Sequence, residues 1–192
     1  MHTTIQHPTA HASTAPAPFG ALGGTHWIES LRDGTPVLIR PLAAQDRERE
    51  EDFIKRLSPD ARRSRFLGDF KEASPALLDQ LMNIDDQHQM AFVALAHDDG
   101  LLREVGVSRY CATDDDQRGE CAVTVAEDWQ QRGLGVLLMR HLIDRARKHG
   151  FRQLFSIDAA DNVPMRELAN YLGFQRRRDP EDASLVIHTL DL

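Results

Sequence analysis

The chain has 192 residues, about one domain's length, and its 41% hydrophobic and 28% charged composition is that of a globular protein with a buried core. With 23 Lys and Arg against 30 Asp and Glu the formal net charge is -7. That lacks the basic excess by which nucleic-acid binders neutralise phosphates, so no nucleic-acid partner is expected. Two cysteines, Cys111 and Cys121, are too few for a secreted disulfide framework or a four-ligand zinc site, so reduced thiols and no metal are expected. The first residues lack a signal-peptide pattern and no run reaches about 18 apolar residues, which predicts a cytoplasmic protein with no membrane partner.

Residues 1–24 are rich in Ala, Thr, Pro, His and Gly and nearly devoid of large apolar side chains, so they are expected to form a flexible tail before a domain spanning 25–192. His2, His7 and His11 are irregularly spaced and read as solvated. Around Asp33-Gly34, the segments from Trp27 to Leu31 and from Pro36 to Arg40 predict a hairpin. Ala43 to Arg56 reads as a charge-rich helix with Phe53 and Ile54 on its apolar side. Ser58-Pro59 and Ser74-Pro75 open two more helices. Met90 to Ala96 and Arg103 to Ala112 predict strands about a Gly100 turn. Glu120 to Ala126 alternates strictly, with Cys121, Val123 and Val125 on one face and Glu120, Ala122 and Thr124 on the other.

The strongest helix runs from Gly133 to His149, with Leu134, Leu138, Leu142 and Ala146 on one stripe and Gly150 beyond its end. Leu154 to Ile157 reads as a strand, Asn162 and Pro164 start a helix that Gly173 ends, and Phe174 to Arg178 and Ser184 to Leu190 read as paired strands. The acidic runs Glu48 to Asp52 and Asp114 to Asp116, and the basic run Arg176 to Arg178, read as solvated. His141 and His149 on the long helix read as structural.

The informative segment is strand, glycine loop, helix: Val123 and Val125, then Gln130-Gln131-Arg132-Gly133-Leu134-Gly135-Val136. The first N–H groups of a helix have no intrahelical acceptor and sit at the positive end of its dipole, which suits a pyrophosphate. Arg132 adds a charged donor. A Walker A loop would need Lys-Ser/Thr after Gly135, where Val136-Leu137 stand; a dinucleotide fingerprint would need a small residue at Leu138.

Gln130-x-x-Gly133-x-Gly135, with the downstream Asn162 helix ending in Leu172-Gly173-Phe174, resembles the GNAT superfamily of N-acetyltransferases over roughly residues 36–190. Ile39-Arg40-Pro41, Arg56-Leu57-Ser58-Pro59 and Arg65-Phe66 are similar to the acetyltransferase domain of bacterial protein-lysine acetyltransferases. The resemblance implies an α/β (α+β) fold: a mixed, mostly antiparallel sheet of six or seven strands with helices on both faces, opening between the strands at 120–126 and 154–157. It implies acetyl-CoA (coenzyme A) as co-substrate, with Val123 and Val125 along the pantetheine, the amides of Gln131 to Val136 on the pyrophosphate, and Gln130, Arg132 and Asn162 as further contacts. The implied partner is an amine acceptor, a protein lysine or a small molecule; a homodimer is compatible with it.

Removing the proton of a lysine-type ammonium at pH 7 costs about 4.6 kcal/mol. Read alone, Glu120 is a solvated strand-end carboxylate; with the resemblance it becomes the general base for direct attack on the thioester. Cys121, one residue on, points to the other face and does not suit a nucleophile. Many members of the family carry an acid tyrosine where Ala169 stands here, and Tyr171 is turned away by about 200° of helix. Two competing readings are a non-catalytic acyl-CoA sensor and a structural partner that keeps only the fold.

Overall fold

The computed structural model describes residues 25–66, 73–98, 100–114 and 117–192. The expected tail, its three histidines, and Asp115 and Asp116 lie outside the described residues.

Among the described residues eight strands and five α-helices follow in chain order. The hairpin of β1 (Trp27–Ser30) and β2 (Pro36–Pro41) turns through Gly34, whose φ of +82° is a left-handed value that glycine adopts without steric cost. The helix expected from Ala43 begins instead as a 3-10 turn, Ala44–Asp46, before α1 (Arg47–Arg56). The Asp46 carboxylate accepts from the Ala43 N–H at 3.0 Å and so tightens the chain there. Helices α2 (Pro59–Phe66) and α3 (Pro75–Met82) start at their prolines, and the Ser74 hydroxyl caps α3 by accepting from the Leu77 N–H.

Strands β3 (Gln89–Asp98), β4 (Leu101–Ala112) and β5 (Arg118–Val125) form an antiparallel meander. Then come α4 (Leu134–Lys148), β6 (Gln153–Ala159), α5 (Val163–Leu172), β7 (Gln175–Arg178) and β8 (Leu185–Asp191). The sheet order is β1-β2-β3-β4-β5-β6-β8-β7, with β5–β6 the one parallel junction. Eight strands replace the expected six or seven because the short outer strands, β1 and β7, both pair fully with their neighbours.

Helices cover both faces. On one, α4 lies against β4, with the Ser108 hydroxyl donating to the Leu138 carbonyl at 3.1 Å. A Cβ at Gly106 would come within 3.0 Å of Leu138 and 3.1 Å of the Thr124 carbonyl, so glycine sets that close approach. On the other face lie α1 and α3, linked to β4 by Arg109. The core runs through the sheet from Val37, Leu38 and Ile39 across Phe92 and Val105 to Leu138, Leu142 and Leu154, all buried.

His141 stacks on Trp27 at 4.1 Å between centroids and bonds Glu29 at 2.8 Å, while His149 bonds the Tyr110 hydroxyl at 2.9 Å. Both histidines fasten α4 to the sheet. Of the acidic run on α1, Glu50 is not a solvated carboxylate: it is buried, and it accepts from Arg109 Nη2 at 2.7 Å.

Candidate functional site

Strands β5 and β6 pair over three residues only, Arg118 with Gln153, Gly119 with Leu154 and Glu120 with Phe155. Beyond Glu120 they part. From Cys121 onward β5 is held by β4 alone, and from Ser156 onward β6 is held by β8 alone. Gly119 lies on the last closed rungs, where a Cβ would meet the Leu154 side chain at 3.0 Å and the Phe151 ring at 3.1 Å. Val123 and Val125 flank the opening and are only half-buried.

Residues paired across an antiparallel ladder share a face, so Glu120 with Cys111, Ala122 with Arg109 and Thr124 with Val107 look toward α1 and α3. Cys121, Val123 and Val125 pair with Tyr110, Ser108 and Gly106 and look toward α4. Glu120 is exposed. Cys121 is 2% exposed, and burial pushes its thiol far up, which removes the thiolate a nucleophile needs.

After β5 a 3-10 turn, Glu127–Trp129, leads into the glycine loop. Gln130 donates from Nε2 to the Val125 carbonyl at 3.1 Å, fastening the loop to the strand. Gln131 takes φ +60° and Gly133 φ +92°, and this pair of left-handed residues swings the chain into α4. Gly133 is the N-cap and supplies no side-chain acceptor. Six successive amides, Gln131 to Val136, donate to no acceptor among the described residues. A Cβ at Gly135 would make ordinary contact with the Leu168 side chain of α5 at 3.4 Å, so the first turn of α4 lies beside α5 with room for a small side chain.

Arg132 lies 4.9 Å over the Trp129 ring and pairs with Asp33 at 3.5 Å. It lines a cleft of about 160 Å³ with Arg32, Gly133, Arg140, Ser30 and Tyr171. Sequence reasoning passed over Arg32 and Arg140. Arg32 sits at the first hairpin, yet its N–H donates to the Arg132 carbonyl at 3.0 Å; Arg140 lies one helical turn beyond Val136, a spacing that could have shown it.

Asn162 caps α5, its Oδ1 accepting from the Met165 N–H at 3.1 Å, which leaves its amide nitrogen as the atom free to donate. Ala169 is fully buried, and Tyr171, 61% exposed, stands 5.9 Å from Arg140 on the rim of the first cleft. A second cleft, of about 190 Å³, lies on the Glu120 face and is lined by Glu120, Ala122, Cys111, Arg109, Arg65 and Gln80.

A strand pair that opens beside a helix-head amide cluster, in a mixed sheet of this order, defines a class. Residues 48–174 match the Acetyltransferase (GNAT) family, and the chain belongs to it. It is an acetyltransferase. It is 62% identical over 174 residues, 91% of this chain and 94% of the relative, to "Acetyltransferase PA5475" of Pseudomonas aeruginosa. It is 28% identical over 163 residues to "Acetyltransferase Pat" of Mycolicibacterium smegmatis, covering 84% of this chain and 47% of that longer protein. Its fold superimposes on the GNAT domain of S. lividans PAT with a TM-score of 0.79 at 24% identity, over 87% of this chain and 97% of that one. Among the described residues no helix is long and apolar enough to cross a membrane.

Proposed function

We propose that this protein is an acetyl-CoA-dependent N-acetyltransferase that acylates a primary amine, a protein lysine or a small amine, by direct attack with Glu120 as general base. The observation that carries this reading is the row of unpartnered amides from Gln131 to Val136 at the mouth of the β5–β6 opening. Such donors, at the positive end of a fifteen-residue helix, match a pyrophosphate. Arg32, Arg132 and Arg140 would add positive charge beside it. Acetyl-CoA supplies an activated acyl thioester.

The chain's own residues do the rest. The half-buried Val123 and Val125 offer apolar surface and an unpaired strand edge to the pantetheine, and Asn162 offers its amide nitrogen. Glu120 sits where the sheet opens and lines the cleft on the face opposite α4, so an amine in that cleft comes within reach of its carboxylate. Taking the amine's proton there offsets the cost of about 4.6 kcal/mol that a free ammonium imposes at pH 7. With Ala169 in place of a tyrosine, water is the proton source for a departing thiol of pKa near 8.5.

Two measurements test this. Calorimetry of the full chain with coenzyme A gives heat if the amide row binds a diphosphate; none would remove the reading. Glu120→Gln lowers turnover by about 100-fold or more at pH 7 and much less near pH 10, where the amine loses its proton unaided. Equal loss at both pH values refutes the base.

A further inference from the structure

The cleft on the Glu120 face holds two guanidiniums and one exposed carboxylate, and these are not equally engaged. Arg109 is committed below the cleft floor: Nη2 donates to Glu50 at 2.7 Å and Nη1 to the Leu81 carbonyl at 3.0 Å. Glu120 is the proposed base. Arg65, half-buried on the last turn of α2, lies over the Phe66 ring at 4.9 Å. It forms no ion pair and donates no hydrogen bond to any described residue. Burial, and then the neighbouring Arg109 charge, bring its pKa down to about 10, against the pull of Glu50, Glu120 and Asp158. It is still a cation at neutral pH, partly stripped of water without an anion in return.

We propose that the acceptor carries a carboxylate or phosphate close to its amino group, and that Arg65 receives this anion while Glu120 receives the amine. This rests on the acetyl-transfer reading and names the substrate class of its acceptor cleft. A guanidinium offers a planar fork matched to either anion. Gln80, on the same wall, can add an amide donor. One positive and one negative group facing a single cleft complement a substrate with both charges. A diamine would instead bring its second ammonium toward Arg65, a like-charge contact that selects against it.

The test uses the full chain with acetyl-CoA and acceptors matched except for the anion: tyrosine against tyramine, lysine against cadaverine, and lysine peptides flanked by Asp against the same peptides flanked by Asn. The wild type favours the anionic member of at least one pair by roughly tenfold to a hundredfold in kcat/KM. The pair that shows it separates a free amino acid from an acidic peptide as the source. Arg65→Gln brings that ratio toward one, and Arg65→Lys retains part of it. The inference is overturned if the wild type shows no preference. It is overturned equally if Arg65→Gln leaves the ratio intact while shifting the pH profile for every acceptor, since Arg65 would then act only on Glu120. If coenzyme A binds but no amine in any pair is acetylated, the acetyl-transfer reading itself fails, a result distinct from transfer without preference.

Discussion

At Asp46 a carboxylate with no exposed surface accepts from both terminal guanidinium nitrogens of Arg40, at 2.6 and 2.7 Å, from Arg49 at 2.8 Å and from the Ala43 N–H at 3.0 Å. Burial alone would raise its pKa, but the Arg40 bonds and charge, the Ala43 N–H and Arg49 together outweigh burial and hold it below the ordinary value. A depressed folded value means stability present above the ordinary carboxylate pKa and lost as pH falls through the folded one. Asp46→Asn should therefore cost about 3 to 5 kcal/mol in denaturant titrations at pH 7, the gap to wild type narrowing below about pH 4.

Glu104 has the opposite sign. Burial, then the Glu50 carboxylate beside it, push its pKa well up, and neither of its oxygens has a hydrogen-bond partner among the described residues. The stability that goes with its neutral form is full below the ordinary carboxylate pKa and is lost as pH rises through the raised value. Glu104→Gln, which keeps the backbone bond from Arg56 at 2.8 Å, should match wild type at acid pH and exceed it progressively on the alkaline side in melts run from pH 5 to 9. None of this cluster was legible in the sequence. Glu50 and Arg109 are 59 positions apart, and a buried ion pair leaves no periodic trace; Glu50 looked like one charge in a solvated run.

At the scale of elements, what could be read was what repeats or punctuates. The stripe of Leu134, Leu138, Leu142 and Ala146 is buried along α4, with Met139 and Ile143 beside it, and Gly133 and His149 turn out to be its caps. Strict alternation found β5 and its two faces, because one face packs toward α4 while the other turns Glu120 and Ala122 to an open cleft. The parting of β5 from β6 had no sequence signal of its own and was expected only through the family resemblance. Gly133 shows what the loop demands. Its left-handed φ would strain any other residue by about 1–2 kcal/mol, and a Cβ there would lie 3.4 Å from the Arg32 stem. Gly133→Ala should weaken coenzyme A binding by about tenfold in calorimetry, with a smaller loss in thermal stability.

For the whole molecule, the sheet ends in two edges, β1 and β7. β7 is exposed throughout and three of its four residues, Arg176, Arg177 and Arg178, are charged, which discourages strand-to-strand growth from that side. Within the sheet the weak line is the three-rung junction of β5 with β6. Hydrogen exchange should find the amides of Val123 and Val125, which face the opening, and those of 131–136 fast in the free protein and slowed once coenzyme A is added, while β3 is unchanged. Unaltered exchange at both segments would contradict ligand insertion there.

That junction carries a mechanical meaning. Two blocks, β1–β5 and β6–β8, meet like the covers of a book along a short spine, with the pages missing. A guest molecule lying in the gap would serve as the absent leaf, so tightening of the architecture and capture of the reactive acyl carrier would be one and the same event.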